Sequence, residues 1–203
     1  MMAGSTWPPT PSFASRLLLV RPLQHADLLA MAAWPPFADP LDRAWNWPQE
    51  LARLGSLDLF FVMRANNPRR REWAITRASD VIGYLGIRDI DRAARSSRLG
   101  IGLGAPYVGR GYGTEALSAF VGQYFGALEF RVLRLDVAAH NLRARHLYER
   151  LGFRELGQRW QDDGAAEDWA FLSASRYDAL REHFDPRGGR MFARTIEMEL
   201  RME

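Results

Sequence analysis

Three glycines at alternate positions, in Gly109-Arg110-Gly111-Tyr112-Gly113, stand where a strand-like apolar stretch gives way to a helical pattern. A turn of this kind can aim several main-chain N–H groups at one anion, with the positive end of the helix dipole behind them. Glycine permits the positive φ and the close backbone approach that a bulky phosphate requires, and Arg110 adds a charged donor at the rim. The turn points to a phosphate-bearing ligand. In isolation a tight turn without a ligand would read the same way, so the flanking residues decide. They lack the Gly-Lys-Ser/Thr ending of a nucleotide P-loop, and the preceding residues read as antiparallel strands rather than the parallel opening of a dinucleotide fold.

A second candidate pair is Asn141 and Tyr148. Asn141 opens a helical pattern, where its side chain can cap the helix, and Tyr148 lies about two turns further along the same face. A phenol there can protonate a departing group; a core tyrosine with a satisfied hydroxyl is its bland counterpart. Cysteine is absent, which removes disulfides, thiolate metal ligands and a cysteine nucleophile, and no metal site is expected.

The elements that must position these residues follow from hydrophobic periodicity. Residues 1–15, rich in Pro, Ser and Thr, read as a flexible N-terminal tail. Residues 16–23 suit a first strand and Asp27 begins a helix; residues 34–48, with four prolines and three tryptophans, suit an irregular segment before a helix at 48–57. Residues 72–77, 81–89 and 98–103 read as three antiparallel strands, and residues 114–130 carry a helical apolar stripe. A strand at 132–138, a helix at 141–151 ended by Gly152, a strand from Phe153, a closing strand at 167–172 and an additional strand at 191–202 complete the reading.

The two blocks together resemble the GNAT superfamily of acetyltransferases. Val108-Gly109-Arg110-Gly111-Tyr112-Gly113, followed by Thr114-Glu115-Ala116-Leu117, is similar to motif A, R/Q-x-x-G-x-G/A, with Val108 in place of the polar first residue. The stretch from Leu135 to Phe153 is similar to motif B, a strand and then N-x-x-A/S-x-x-x-Y-x-x-x-G-F, on Asn141, Ala144, Tyr148, Gly152 and Phe153. The likeness covers residues 16–175 as one domain, leaving residues 176–203 as a C-terminal extension of it. It implies an α+β fold: a mixed, twisted, mostly antiparallel sheet flanked by helices and splayed between its fourth and fifth strands, residues 98–103 and 132–138.

The resemblance implies acetyl-CoA as cosubstrate in that gap. Ile101, Gly102 and Leu103 would present backbone groups to pantetheine and thioester, residues Val108 to Thr114 would hold the pyrophosphate, and Asn141 would bond the coenzyme. Tyr148 would protonate the CoA thiolate. The acceptor implied is a primary amine, on a small molecule or at a protein N-terminus, and the pattern is most similar to the ribosomal-protein N-terminal acetyltransferase branch. Many relatives carry a carboxylate base on the fourth strand, but residues 99–103 contain none; Asp89 and Asp91 are the nearby candidates, with turn formation as their alternative role. That gap in the machinery supports a second reading, a catalytically degenerate domain that binds acyl-CoA as a sensor or interaction module. Trp45 and Trp47 are candidates to wall an acceptor pocket, and Asp162, Asp163, Glu167 and Asp168 to attract a cationic amine.

Bulk properties narrow the classes. All 27 basic residues are Arg, yet the net charge is only +3, a weak footprint for nucleic acid. No stretch approaches the apolar length of a membrane span, and no basic-then-apolar leader opens the chain, so a cytoplasmic protein is expected. A homodimer built on a sheet edge is a further expectation.

Overall fold

The computed structural model describes residues 10–202. In chain order the strands and α-helices are β1 (Phe13–Ala14), β2 (Leu19–Pro22), α1 (His25–Ala32), α2 (Trp47–Arg53), α3 (Leu57–Ala65), β3 (Arg71–Arg77), β4 (Asp80–Asp91), β5 (Ser96–Leu103), α4 (Tyr112–Phe125), β6 (Val132–Ala138), α5 (Leu142–Arg150), β7 (Arg154–Ala165), β8 (Phe184–Arg187) and β9 (Arg190–Arg201). The strands form one nine-stranded sheet in the order β1-β2-β3-β4-β5-β6-β9-β7, with β8 paired to β9. All pairs are antiparallel except β5 with β6. This is the α+β architecture expected, with a short extra strand at its start.

The alternation of side chains along each strand builds separate cores on the two faces. Trp73, Ile75, Leu85, Ile87, Leu99, Leu133 and Leu135 face the stripe Ala116, Leu117, Phe120 and Tyr124 of α4. Spacing by three and four residues keeps that stripe on one side of the helix. The Tyr124 hydroxyl donates to the Val132 carbonyl at 2.7 Å and lies 2.9 Å from Ser97 Oγ, so its polar end is satisfied inside the core. On the opposite face Ala74 and Val81 pack with Leu28, Met31 and Leu57 of α1 and α3. A third cluster, Trp169, Leu172, Tyr177, Phe184, Met191 and Ala193, packs on β8 and β9 themselves.

The relation of β5 to β6 positions the site. Their parallel pairing runs from Ser96 opposite Val132 to Arg98 opposite Arg134. β5 then continues to Leu103, bonded outward to β4 through Gly83, while β6 continues to Ala138, bonded outward to β9 through Thr195. The two strands therefore part, leaving a gap between residues 99–103 and 135–138. The expected fourth and fifth strands are β5 and β6.

Several expectations are corrected. Residues 1–9 lie outside the described residues, but the end of the expected tail belongs to the fold: β1 pairs with β2, Phe13 is buried, and the Pro11 carbonyl accepts from the Trp73 indole at 2.8 Å. Proline and serine masked a segment held by long-range contacts. The helix expected at 48–57 is α2, and α3 follows it unannounced, because Leu59, Val62 and Met63 stay exposed and blur its apolar face. Residues 166–183 form two 3-10 helices, Ala166–Ser173 and Ser175–His183, where a strand was expected at 167–172. The C-terminal extension is more than an appendage: β9 lies between β6 and β7 and is bonded to both.

Candidate active site

The glycine turn leaves β5 through a short 3-10 helix, Ala105–Tyr107, and ends at Gly111, the N-cap of α4. Gly109 has φ of 79° and Gly111 of 85°, left-handed values that favour glycine. A Cβ on either would meet nothing within 4 Å, so both face open space. The amides of Gly109, Arg110 and Gly111 donate to no group among the described residues. The first-turn amides of α4 have no preceding helical carbonyl to bond. Unpaired donors, open space and a helix N-terminus fit the pyrophosphate expected there, with exposed Arg110 at the rim. Tyr112 is taken up by Arg77, whose guanidinium lies 5.7 Å over its ring.

The two sequence blocks meet at Gly113. Its Cβ position is 3.6 Å from Leu103 Cδ1 and 3.8 Å from Leu147 Cδ2, which brings the end of β5, the glycine turn and α5 together. Asn141 caps α5, its Oδ1 accepting from the Ala144 amide at 3.1 Å. Tyr148 is buried against Phe153, ring centroids 5.7 Å apart, and no group among the described residues bonds its hydroxyl. Burial, reinforced by the neighbouring Tyr84 phenol, pushes Tyr148 up to about 12. The phenol is therefore protonated and neutral across the physiological range.

Tyr84 had no signal in its own sequence context. It stands opposite Gly102 in the β4–β5 ladder and is half-buried on the face away from α4. Its hydroxyl accepts from the Trp47 indole at 3.3 Å, and the rings meet edge-to-face at 5.4 Å. Trp47 therefore packs against this face, on Tyr84 and Phe60, while Trp45 is 36% exposed.

Asp89 and Asp91 do not join the site. Asp91 stands opposite Ser96, at the end of the β4–β5 ladder remote from Gly102, and its Oδ1 caps the Ala94 amide at 2.9 Å. Asp89 adopts φ of 54° and pairs with Arg88 at 2.7 Å. Asp162 is engaged by Arg190 at 2.8 Å. Asp136, beyond the last β5–β6 pair, is a carboxylate that spacing did not single out. Burial alone would raise its pKa, but Arg159, Arg98 and Arg88 together hold it below the ordinary carboxylate range, making it a poor proton acceptor. Glu115 is also occupied: its Oε1 accepts from the Ser15 hydroxyl at 2.7 Å and the Leu17 amide at 2.6 Å. Among the described residues no group of three or more His, Asp or Glu side chains could hold a metal ion, and no helix is long and apolar enough to cross a membrane.

A mixed sheet opened between one parallel pair, with a glycine turn at the head of the adjoining helix, defines the GNAT class of acetyltransferase fold. Residues 16–154 match the family described as acetyltransferase (GNAT) domain, and the chain belongs to that family. It is 29% identical over 146 residues to the uncharacterized N-acetyltransferase YycN of Bacillus subtilis (strain 168), spanning 68% of this chain and 93% of that protein. Among solved structures it is similar to a chimera of the spermidine N-acetyltransferase SpeG from Vibrio cholerae and hSSAT, with TM-score 0.64 and 20% identity over 91% of this chain and 95% of that one. SpeG from Vibrio cholerae with manganese ions is similar at TM-score 0.60 and 19% identity, over 91% of this chain and 92% of that one. At these identities the structural likeness speaks for the fold.

Proposed function

We propose that the protein transfers the acetyl group of acetyl-CoA to a primary amine by direct attack on the thioester. The observation that carries this reading is the meeting of Leu103, Gly113 and Leu147, which places the parted end of β5, the open glycine turn and the Tyr148 helix around one gap. Backbone groups of Ile101, Gly102 and Leu103 are assigned to the pantetheine and thioester, Val108 to Thr114 to the pyrophosphate, and Asn141 to the coenzyme. When bound, acetyl-CoA supplies the activated acyl group. A main-chain amide of β5 polarises the thioester carbonyl, and Tyr148 holds the proton that the departing sulfur takes as the carbon–nitrogen bond forms. The amine must arrive neutral, and its own proton leaves to solvent or to a base that the residues of β5 do not supply.

Calorimetric titration with acetyl-CoA, with ATP and NAD as controls, tests the phosphate site, and thiol release with primary amines tests turnover. Selective acetyl-CoA binding with thiol release is expected. Tight binding with no release for any amine would favour the sensor or interaction module, and no binding by folded protein would remove the acyl-CoA assignment altogether.

A further inference from the structure

The segment joining α1 to α2 crosses the open end of the gap. It leaves the first arm of the sheet at Trp34, whose Cδ2 lies 2.6 Å from the Cβ position of Gly104 and whose indole donates to the Val81 carbonyl at 2.9 Å. It returns at Trp47, bonded to Tyr84, which in turn lies on Gly102. Both anchors rest on the last residues of β5 and just beyond. Between them the chain reaches the second arm. Asp39 Oδ1 accepts from the Tyr177 hydroxyl at 2.8 Å, and Arg43 donates to the Asp168 carbonyl at 3.0 Å. The Arg43 guanidinium also lies 4.9 Å over the Trp169 ring, and Leu41 packs against the cluster of Trp169, Leu172, Tyr177 and Phe184.

That cluster is fastened to the end of β6. His140, just past Ala138, stacks on Phe184 with centroids 5.0 Å apart, and the Ala139 amide donates to the Arg194 carbonyl at 2.8 Å. The strap thus runs from the end of one parted strand to the end of the other. It lies on the face opposite α4 and α5, where Tyr84 packs with α1 and where Met191 and Ala193 seat the third cluster. The coenzyme turn is on one side of the gap and the strap on the other.

We propose that residues 35–46 and the insert 166–183 roof the acceptor side of the gap and restrict the acceptor to a small primary amine, excluding the N-terminus of a folded protein. The inference rests on the acetyltransferase reading. A folded protein carries its N-terminus on a broad surface, which must dock flush with the mouth for the amine to reach the thioester. With Leu41 and Arg43 seated on the opposite arm, the approach is a passage beneath the strap, which a free amino acid, amino sugar or polyamine can enter.

The test loads the protein with acetyl-CoA and follows thiol release with two acceptor sets: small primary amines of those three classes, and folded small proteins with free N-termini. Both sets are offered to the unaltered chain and to the double variant Leu41→Ser, Arg43→Ala, whose changes lie outside the coenzyme residues. Expected for the unaltered chain is a preference of roughly a hundredfold or more in kcat/KM for its best small amine, narrowing by roughly tenfold in the variant while acetyl-CoA affinity is retained. A folded N-terminus used as well as the best small amine overturns the proposal. So does a folded variant whose preference is unchanged, and so does a chain that binds acetyl-CoA but transfers to neither set. Failure to bind acetyl-CoA at all is a different result, and overturns the acetyltransferase assignment beneath it.

Discussion

The ring of Tyr84 occupies the space that a side chain on Gly102 would need: a Cβ there would stand 2.6 Å from Cε1 and 3.1 Å from the hydroxyl. The glycine is bare because the phenol covers it, and the phenol in turn holds Trp47 at the anchor of the strap. Gly102→Ala must displace Tyr84 and with it the Trp47 hydrogen bond. We expect a destabilisation of about 1–3 kcal/mol, typical of overpacking, with a several-fold loss in kcat/KM for the acceptor. Urea denaturation and steady-state kinetics check this; unchanged stability would mean that Tyr84 moves freely and anchors nothing.

Tyr148→Phe removes the proposed proton donor while keeping the ring against Phe153. Acetyl-CoA affinity should be retained and kcat should fall by about a hundredfold or more, the usual contribution of a positioned acid. Because burial pushes the phenol up to about 12, the unaltered chain should show no alkaline loss of rate from this group until within about one unit of that pH. Rate should instead rise with pH as the acceptor amine loses its proton. Unchanged turnover in the phenylalanine variant would remove Tyr148 from the mechanism.

Gly111→Val acts at the head of α4. With φ of 85° and nothing within 4 Å of the Cβ position, its cost in the free protein is conformational rather than a clash, and a β-branched residue at such a φ should cost at least about 1–2 kcal/mol. The side chain also fills the open space assigned to the pyrophosphate. Calorimetry should show acetyl-CoA binding weakened at least tenfold by a change of this order, and undiminished affinity would defeat the placement of the phosphate.

His140 gives stability a pH dependence. Burial, with His183 nearby, lowers its imidazole to about 4, against about 6.5 in an unfolded chain. Between those values the unfolded state binds more protons, so stability is full above about pH 6.5 and is lost as pH falls toward 4. His183 is depressed too, again mainly by burial, and titrates in the same direction. His140→Phe keeps an aromatic ring on Phe184 and should flatten part of this slope. Denaturation midpoints at pH 7 and pH 5 for both chains give the comparison; equal slopes would show that His140 is solvated in the folded protein.

The legible parts of the site were those with local chemistry. Glycines at 109, 111 and 113 before an amphipathic stripe announce a turn and a helix start from backbone sterics alone, and Asn141 announces its cap. β6 was expected at 132–138 and is found at Val132–Ala138, because strict alternation of apolar residues leaves little freedom of register. Tyr84, Trp34 and Leu41 carried no such signal. Their importance comes from what lies across from them: a bare glycine, the end of β5, and a cluster more than a hundred residues further along the chain.

The sequence by itself determined the periodic elements and the two motif blocks, since both depend on neighbours a few residues apart. Tertiary structure alone decided that β9 inserts between β6 and β7, that residues 11–14 join the fold, and that residues 35–46 bridge the two arms. Each of these is a long-range pairing, whose energy lies in surfaces buried against distant residues and leaves no period in the local pattern. It was the parting of β5 from β6, bonded outward to β4 and β9, that set the two separated motifs around one gap.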